Sequence, residues 1–235
     1  MKRQHSLLKN GLTALLSLLI QLSTAISQQP DYYRNVTHEN YRKVKAFSDT
    51  IDLSNLDLVR LNAVLYYATN EVRVKHNLAV LAYSPELEEA AGMHSCDMVM
   101  HHFFSHNNPV DRSRETPNDR AQIAGIINPF IAENIAEEFV LQYKSGTNVY
   151  EMGKGNFSYQ PEGKLIPRRT YLSLAESLIE RWMNSPVHRK NILSPDALQV
   201  GCGTCFFNDP EFNDMPTLMA TQNFQWFEKT KLLQQ

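Results

Sequence analysis

Three stretches of this chain repeat apolar residues at helical spacing, and a fourth short helix is marked by its start signal. In the first, Leu61, Val64, Leu65, Ala68 and Val72 mark one face of a helix running to about His76. Ser54-x-x-Asp57 resembles a capping box with Asp in place of Glu and marks its start. Ser84-Pro85-Glu86 opens a second helix, with Leu87, Ala90, Ala91, His94 and Met98 as its buried stripe and an end near His102. Thr170 opens a third, whose Leu174, Ala175, Leu178, Ile179 and Trp182 form an apolar face. Ser185-Pro186 starts a short fourth, because Ser can cap free amides and Pro fits the first helical position. Two β-type runs follow, at 199–207 and 218–224, with a turn over 208–216. Residues 131–139 fit a strand or a helix equally well by pattern. Residues 107–130 read as loop, with Asn107-Asn108-Pro109 and Thr116-Pro117-Asn118-Asp119 as turn signals. Residues 143–169, rich in Gly, Lys and Pro, read as an insertion loop. Helices first and strands last predict an α+β arrangement, with no internal repeat and no second domain.

The ends and the charge refine this. Lys2, Arg3 and Lys9, an apolar run from Gly11 to Leu22 and the small-residue exit Ala25-Ile26-Ser27 have the order of a secretory signal peptide cut after about Ser27. The apolar run is short for a membrane span of roughly 20 residues. Residues 28–54 are polar and read as an N-terminal extension, which leaves 55–235 as the domain. Of 23 basic and 25 acidic side chains, the leader holds three basic and no acidic ones, so the mature chain is acidic. That balance points away from nucleic acid as a partner. Asn35-Val36-Thr37 and Asn156-Phe157-Ser158 match the glycosylation pattern, which matters only in a eukaryotic host.

Three cysteines, Cys96, Cys202 and Cys205, are few for an exported protein. Cys202-Gly203-Thr204-Cys205 has redox-motif spacing, but that motif needs a helix N-terminus to stabilise its thiolate, and β-forming Phe206 and Phe207 follow. In a regular strand, residues three apart lie about 10 Å apart on opposite faces, too far for a disulfide; a bulge at Gly203 would change that. Small buried side chains with at most one bridge are expected.

The chemistry-bearing residues fall in five ordered motifs. Asn70-Glu71-Val72-Arg73 comes first, then Phe103-Phe104-Ser105-His106-Asn107-Asn108-Pro109, then Glu133-Asn134-Ile135-Ala136. Ser185-Pro186-Val187-His188-Arg189-Lys190-Asn191-Ile192-Leu193 leads to Val200-Gly201-Cys202-Gly203, and Thr221-Gln222-Asn223-Phe224 closes the set. In this order they resemble the CAP (SCP-like) superfamily of cysteine-rich secretory, venom-antigen and pathogenesis-related proteins, in its prokaryotic-type branch. The resemblance spans about Leu56 to Phe227. It implies a three-layer α-β-α sandwich with a small, mainly antiparallel sheet. It also implies a cleft that in many eukaryotic members holds two His and two Glu.

Carried over by motif, the first His is His106, the first Glu is Glu133 and the second His is His188. The second Glu is expected three residues after Trp182, where this chain has Ser185; Glu176 and Glu180 lie elsewhere on the preceding helix. Two neutral imidazoles, His106 and His188, could bind a divalent metal such as zinc weakly, with Glu133 as a third ligand or holding a ring by its second N–H. Catalytic zinc needs three protein ligands and an open position, a count met only if Glu133 binds directly. Hydrolysis would need Glu133 or a His as general base, or a nucleophile beside a base, for which Ser105 and Ser185 are candidates by proximity in sequence. The bland alternative is that His106, Glu133 and His188 tie helix ends to the sheet. His94 is expected to be a hydrogen-bonded core residue. His101 and His102, adjacent on a helix, point about 100° apart and make no ready ligand pair. The leading expectation is a non-enzymatic, extracytoplasmic binding module for an unknown ligand, such as a lipid or cell-envelope component. The alternative is a metal-dependent hydrolase of peptides or envelope material.

Overall fold

A computed structural model describes residues 31–226. The chain divides into two units, Met1–Arg34 and Asn35–Gln235, and the architecture below is that of the second. The leader expected over 1–27 lies outside the described residues.

Helix α1 (Leu58–Lys75) starts on Asp57, whose carboxylate accepts the Arg60 amide at 2.9 Å. Ser54 is not the cap; its hydroxyl donates to Asp52 instead. A short strand β1 (Ala82–Tyr83) leads to α2 (Pro85–Met100), capped by Ser84 accepting from the Leu87 amide. The expected loop at 107–130 contains a helix, α3 (Pro117–Ile123). Thr116 and Asp119 form a reciprocal capping box with Pro117 inside the first turn. Those residues therefore begin a helix rather than close a turn. Residues 131–139 are strand β2 (Ile131–Phe139). The 143–169 segment holds a small hairpin, β3 (Tyr150–Glu151) with β4 (Phe157–Ser158), which buries Phe157 against Leu141, Ile166 and Met215. Helix α4 (Tyr171–Asn184) is capped by Thr170, and α5 (Pro186–Ile192) follows directly. The long strands β5 (Gln199–Asp209) and β6 (Met215–Gln225) complete the fold.

The main sheet has the order β1-β5-β6-β2, antiparallel except for the β1/β5 pair. Helix α2 covers one face; α1 packs on the other face at β5, with α4 against α1 and β2. This is the α-β-α sandwich. Trp182 is fully buried in the α4 layer, with Leu174, Ala175 and Leu178. Part of the polar extension joins the same body: Tyr41 and Phe47 are fully buried, and both contact the Tyr67 ring.

The contact between α2 and β5 is unusually close, and β5 supplies the reason. Its odd positions face α2. Side chains at Gly201 and Gly203 would strike the α2 backbone at Leu87–Glu88 and Ala91–Gly92. Cys205, next on that face, is disulfide-bonded to Cys96 of α2 with Cα atoms 5.1 Å apart. Four helical residues rise about 6 Å and two strand residues about 6.6 Å, so the helix runs alongside the strand and the contacts repeat. Even positions face α1, where Thr204 donates to Asn62 at 2.8 Å and Cys202 is a buried free thiol. The Cys-x-x-Cys pair is thus split between two faces, as strand alternation requires. Reducing the bridge, which spans 109 residues, should lower unfolding free energy by about 2–4 kcal/mol. Urea midpoints with and without reductant test this; an unchanged midpoint would remove the bridge from the account.

Candidate cleft at the edge of the sheet

Strand β2 is the sheet's edge, and its Glu133-Asn134 dipeptide points its side chains into both layers. Glu133 faces the α2 side with its side chain 1% exposed. Its Oε1 lies 3.0 Å from His106 Nδ1, and its Oε2 accepts from Arg120 Nη2 at 2.8 Å. In the amide orientation that satisfies both neighbours, Asn223 donates to Oε2 at 3.1 Å and accepts from the Ala91 amide. Asn134 faces the other layer. It donates to Gln222 Oε1 and to the His188 carbonyl, each at 3.2 Å, and accepts from Asn191 of α5 at 2.8 Å. Asn191 also reaches the Glu133 carbonyl on the strand edge. This network holds α5 beside β2 and so brings His188 to the edge that His106 approaches from the opposite layer. Their proximity is electrostatic as well: burial first, and the His106 ring second, lower the His188 pKa from its ordinary value.

The hydrogen bond to Glu133 defines the His106 tautomer. A carboxylate accepts, so Nδ1 is the donor in this bond, and in the neutral ring Nε2 is the atom left with a lone pair, on a half-exposed side chain. The His188 ring is partly buried and makes no hydrogen bond with a described residue. These two imidazoles are the ring donors left open at this edge of the sheet. His94, in contrast, is fully buried; its Nε2–H donates to the Ser105 carbonyl at 2.9 Å. Burial, as the largest effect, lowers its pKa despite nearby Glu133. It is the core histidine the helical stripe implies.

Arg120 is the residue that sequence reasoning missed. It is fully buried and forms the ion pair with Glu133. Its Nη1 also donates to the carbonyls of Arg114 and Glu115 and its Nη2 to that of His106, so it ties the loop bearing His106 to the strand bearing Glu133. The signal was present in Thr116-Pro117-x-Asp119, whose capping box starts the turn that carries it. Beside it, Asp97 takes Asn108 and Arg114, fixing the other end of the same loop.

Ser185 holds no carboxylate and does not cap α5 with its hydroxyl. It links α4 to α5 through its backbone, donating to the Trp182 carbonyl and accepting from the Arg189 amide. Ser105 accepts from the Asn107 amide. Neither serine hydroxyl is bonded to an imidazole or to Glu133, so no nucleophile–base pair is formed among the described residues. Glu176 pairs with Arg42, and Glu180 is exposed on α4.

The donor set has a consequence for metals. Both Glu133 oxygens are committed to His106, Arg120 and Asn223, and among the described residues no group of three or more His, Cys, Asp or Glu side chains is arranged to hold an ion. A three-ligand centre using Glu133 does not fit this geometry.

The fold and these motifs coincide with a known family. The model of the cysteine-rich secretory protein (CAP) family matches residues 66–224, and the chain belongs to that family. Two relatives come from Bacillus subtilis strain 168. The uncharacterised protein YkwD is 29% identical over 135 residues, covering 57% of this chain and 38% of its own length. The uncharacterised membrane protein YlbC is 27% identical over 168 residues, covering 72% and 34%. The chain thus spans little more than a third of these relatives. Among solved structures, an extracellular SCP-domain protein from Bacillus anthracis is 24% identical over 73% of this chain and 44% of its own, with a TM-score of 0.46. An outer surface protein from Borrelia burgdorferi is 15% identical over 72% and 96%, also with a TM-score of 0.46.

Proposed function

We propose that this CAP-domain protein is an exported, non-enzymatic binding module that uses the cleft between His106 and His188. The observation that carries the reading is the state of Glu133. A general base must reach a proton on substrate or water, whereas this carboxylate is buried and saturated by a buried arginine, an imidazole and an amide. It serves to position His106. The side chain that could have supplied a second carboxylate is Ser185. Export rests on the order of charges and apolar residues at the start of the chain. It accords with the absence, among the described residues, of a helix long and apolar enough to cross a membrane. The ligand of the cleft, in this reading, is a lipid or cell-envelope component.

A divalent ion such as zinc is proposed as a weak ligand of the same two imidazoles, with water completing its coordination. Zinc titration at pH 7.5 should give binding that drops at least about tenfold in both His106→Ala and His188→Ala, and that weakens at pH 5.5 as protons compete for the imidazoles. The depressed pKa of His188 keeps its lone pair available to a lower pH than an ordinary histidine near 6.5. Equal binding by all three proteins would place the metal elsewhere. Peptide or envelope hydrolysis by the wild type that vanishes in Glu133→Gln, with the fold intact, would establish the hydrolase reading instead.

A further inference from the structure

Strand β2 carries three glutamates, and two are neutralised. Glu133 has Arg120; Glu138, on the opposite face, has Arg169, Arg181 and the Ser177 hydroxyl. Glu137 has no such partner. It shares the α2 side of the sheet with Glu133, about 13 Å further along the strand, and receives no hydrogen bond from a described residue. Its side chain lines a cavity of about 460 Å³ built between the end of α2, the far ends of β5 and β6 and the turn joining them. The inner wall is apolar, from Met98, Phe103, Phe207 and Met219; the rim carries the half-exposed rings of Phe104 and Phe212. Phe212 is held edge-on against Phe139, 5.2 Å between centroids. Among the described residues no lysine or arginine lines this cavity. Its other charged residues are Asp209 and Glu211, and its one basic group is His102.

We propose that this cavity is a second binding site, distinct from the histidine cleft, for a small organic cation: a primary ammonium group on an apolar or aromatic body. The apolar body would fill the Met and Phe wall, and the ammonium would meet Glu137. The volume lies in the range of small-molecule sites, which are mostly apolar with a few placed polar groups. Aromatic faces attract cations as well as apolar groups, and a wall without Lys or Arg leaves the negative charge uncompensated for a ligand to meet. The neighbours of Glu137 sharpen this. Burial first, and the negative charge of Asp209 second, raise its pKa; Arg181, through space, opposes them and Glu211 adds to them. Holding an unpaired carboxylate there costs free energy that an incoming cation would recover. Asp209 has a structural task of its own, accepting the Glu211 amide at the turn, so Glu137 is the residue that discriminates.

The test uses 2-phenylethylammonium as probe, with 2-phenylethanol as its neutral counterpart, titrated into the mature protein by calorimetry and by amide chemical shifts. The ammonium should bind saturably, with shifts at Phe207 and Met219, and at least about tenfold more tightly than the alcohol. Glu137→Gln should lose that advantage while its far-UV spectrum stays unchanged and its melting midpoint does not fall, since the cost of the unpaired carboxylate is removed. His106→Ala should bind the probe like wild type, which keeps this result independent of the fate of the histidine cleft. Equal binding of ammonium and alcohol, wild-type affinity in Glu137→Gln, or no saturable binding up to the solubility of the probe would each overturn the proposal.

Discussion

Arg120→Met should cost about 3–5 kcal/mol of folding stability, because it leaves the Glu133 carboxylate buried without its cation. The two side chains are 0% and 1% exposed, and 2.8 Å separates Nη2 from Oε2. The loss extends beyond the pair. Three backbone carbonyls would lose an arginine N–H in the same stroke, those of His106, Arg114 and Glu115, of which Glu115 keeps the Asn108 amide, and the loop bearing His106 would come loose from β2. Removing the charge as well should therefore help. The double variant Arg120→Met/Glu133→Gln should be more stable than Arg120→Met alone, the reverse of additive damage and the mark of a coupled pair. Urea denaturation of wild type, both single variants and the double variant measures this. If Arg120→Met unfolds within about 1 kcal/mol of wild type, water must reach Glu133 and the buried-pair account of the site is wrong. The carboxylate would then also be free to act as a base.

Of the three polar residues that the motifs single out, His106 and Glu133 meet directly at 3.0 Å, and Asn134 holds the backbone of His188 beside the same strand. All three were legible because each sits beside a punctuation mark: the end of α2, the edge strand, the Ser-Pro start of α5. What was not legible was how Glu133 spends its charge. A ligand and a salt-bridged tether look alike in sequence, and the difference lies in Arg120, on a helix whose capping box reads equally well as a turn. The strand at 131–139 was ambiguous for a related reason. With Glu133, Asn134, Glu137 and Glu138 among its residues, it lacks a clean two-residue alternation, since both its faces are buried in part and polar groups serve each layer. The first cap was misplaced by three residues because Ser54 and Asp57 are both able to cap, and only tertiary contacts decide: the Asp57 amide donates to the Tyr171 hydroxyl of α4. Alternation along β5 bore on cysteine pairing only by exclusion, and a bulge at Gly203 would have undone it. The strand excludes a bond between Cys202 and Cys205, while the choice of Cys96 depends on the helix lying against the same face.

Gly203→Ala should be the more damaging of two alanine substitutions that sit across one contact, with a loss of at least about 4 kcal/mol or outright failure to fold. A Cβ at Gly203 would lie 2.0 Å from the Gly92 nitrogen and 2.5 Å from the Ala91 carbonyl carbon. Both are backbone atoms of α2, so no rotamer change relieves the clash; the helix must lift from the sheet. Lifting it would strain the Cys96–Cys205 bridge one step along the strand and break the Ser95 hydroxyl bond to the Gly203 carbonyl, 2.9 Å long. It would also carry Ala91 away from Asn223, and with it one of the groups that hold Glu133. The partner glycine behaves oppositely. A Cβ on Gly92 meets nothing within 4 Å, and a glycine inside a helix costs roughly 0.5–1 kcal/mol relative to alanine. Gly92→Ala should therefore stabilise the protein by about that amount. Melting and urea midpoints of the two variants read the contrast directly. If Gly203→Ala is tolerated as well as Gly92→Ala, the helix does not rest on the strand backbone, and the close α2–β5 contact that positions the α2 side of the cleft is not what holds it.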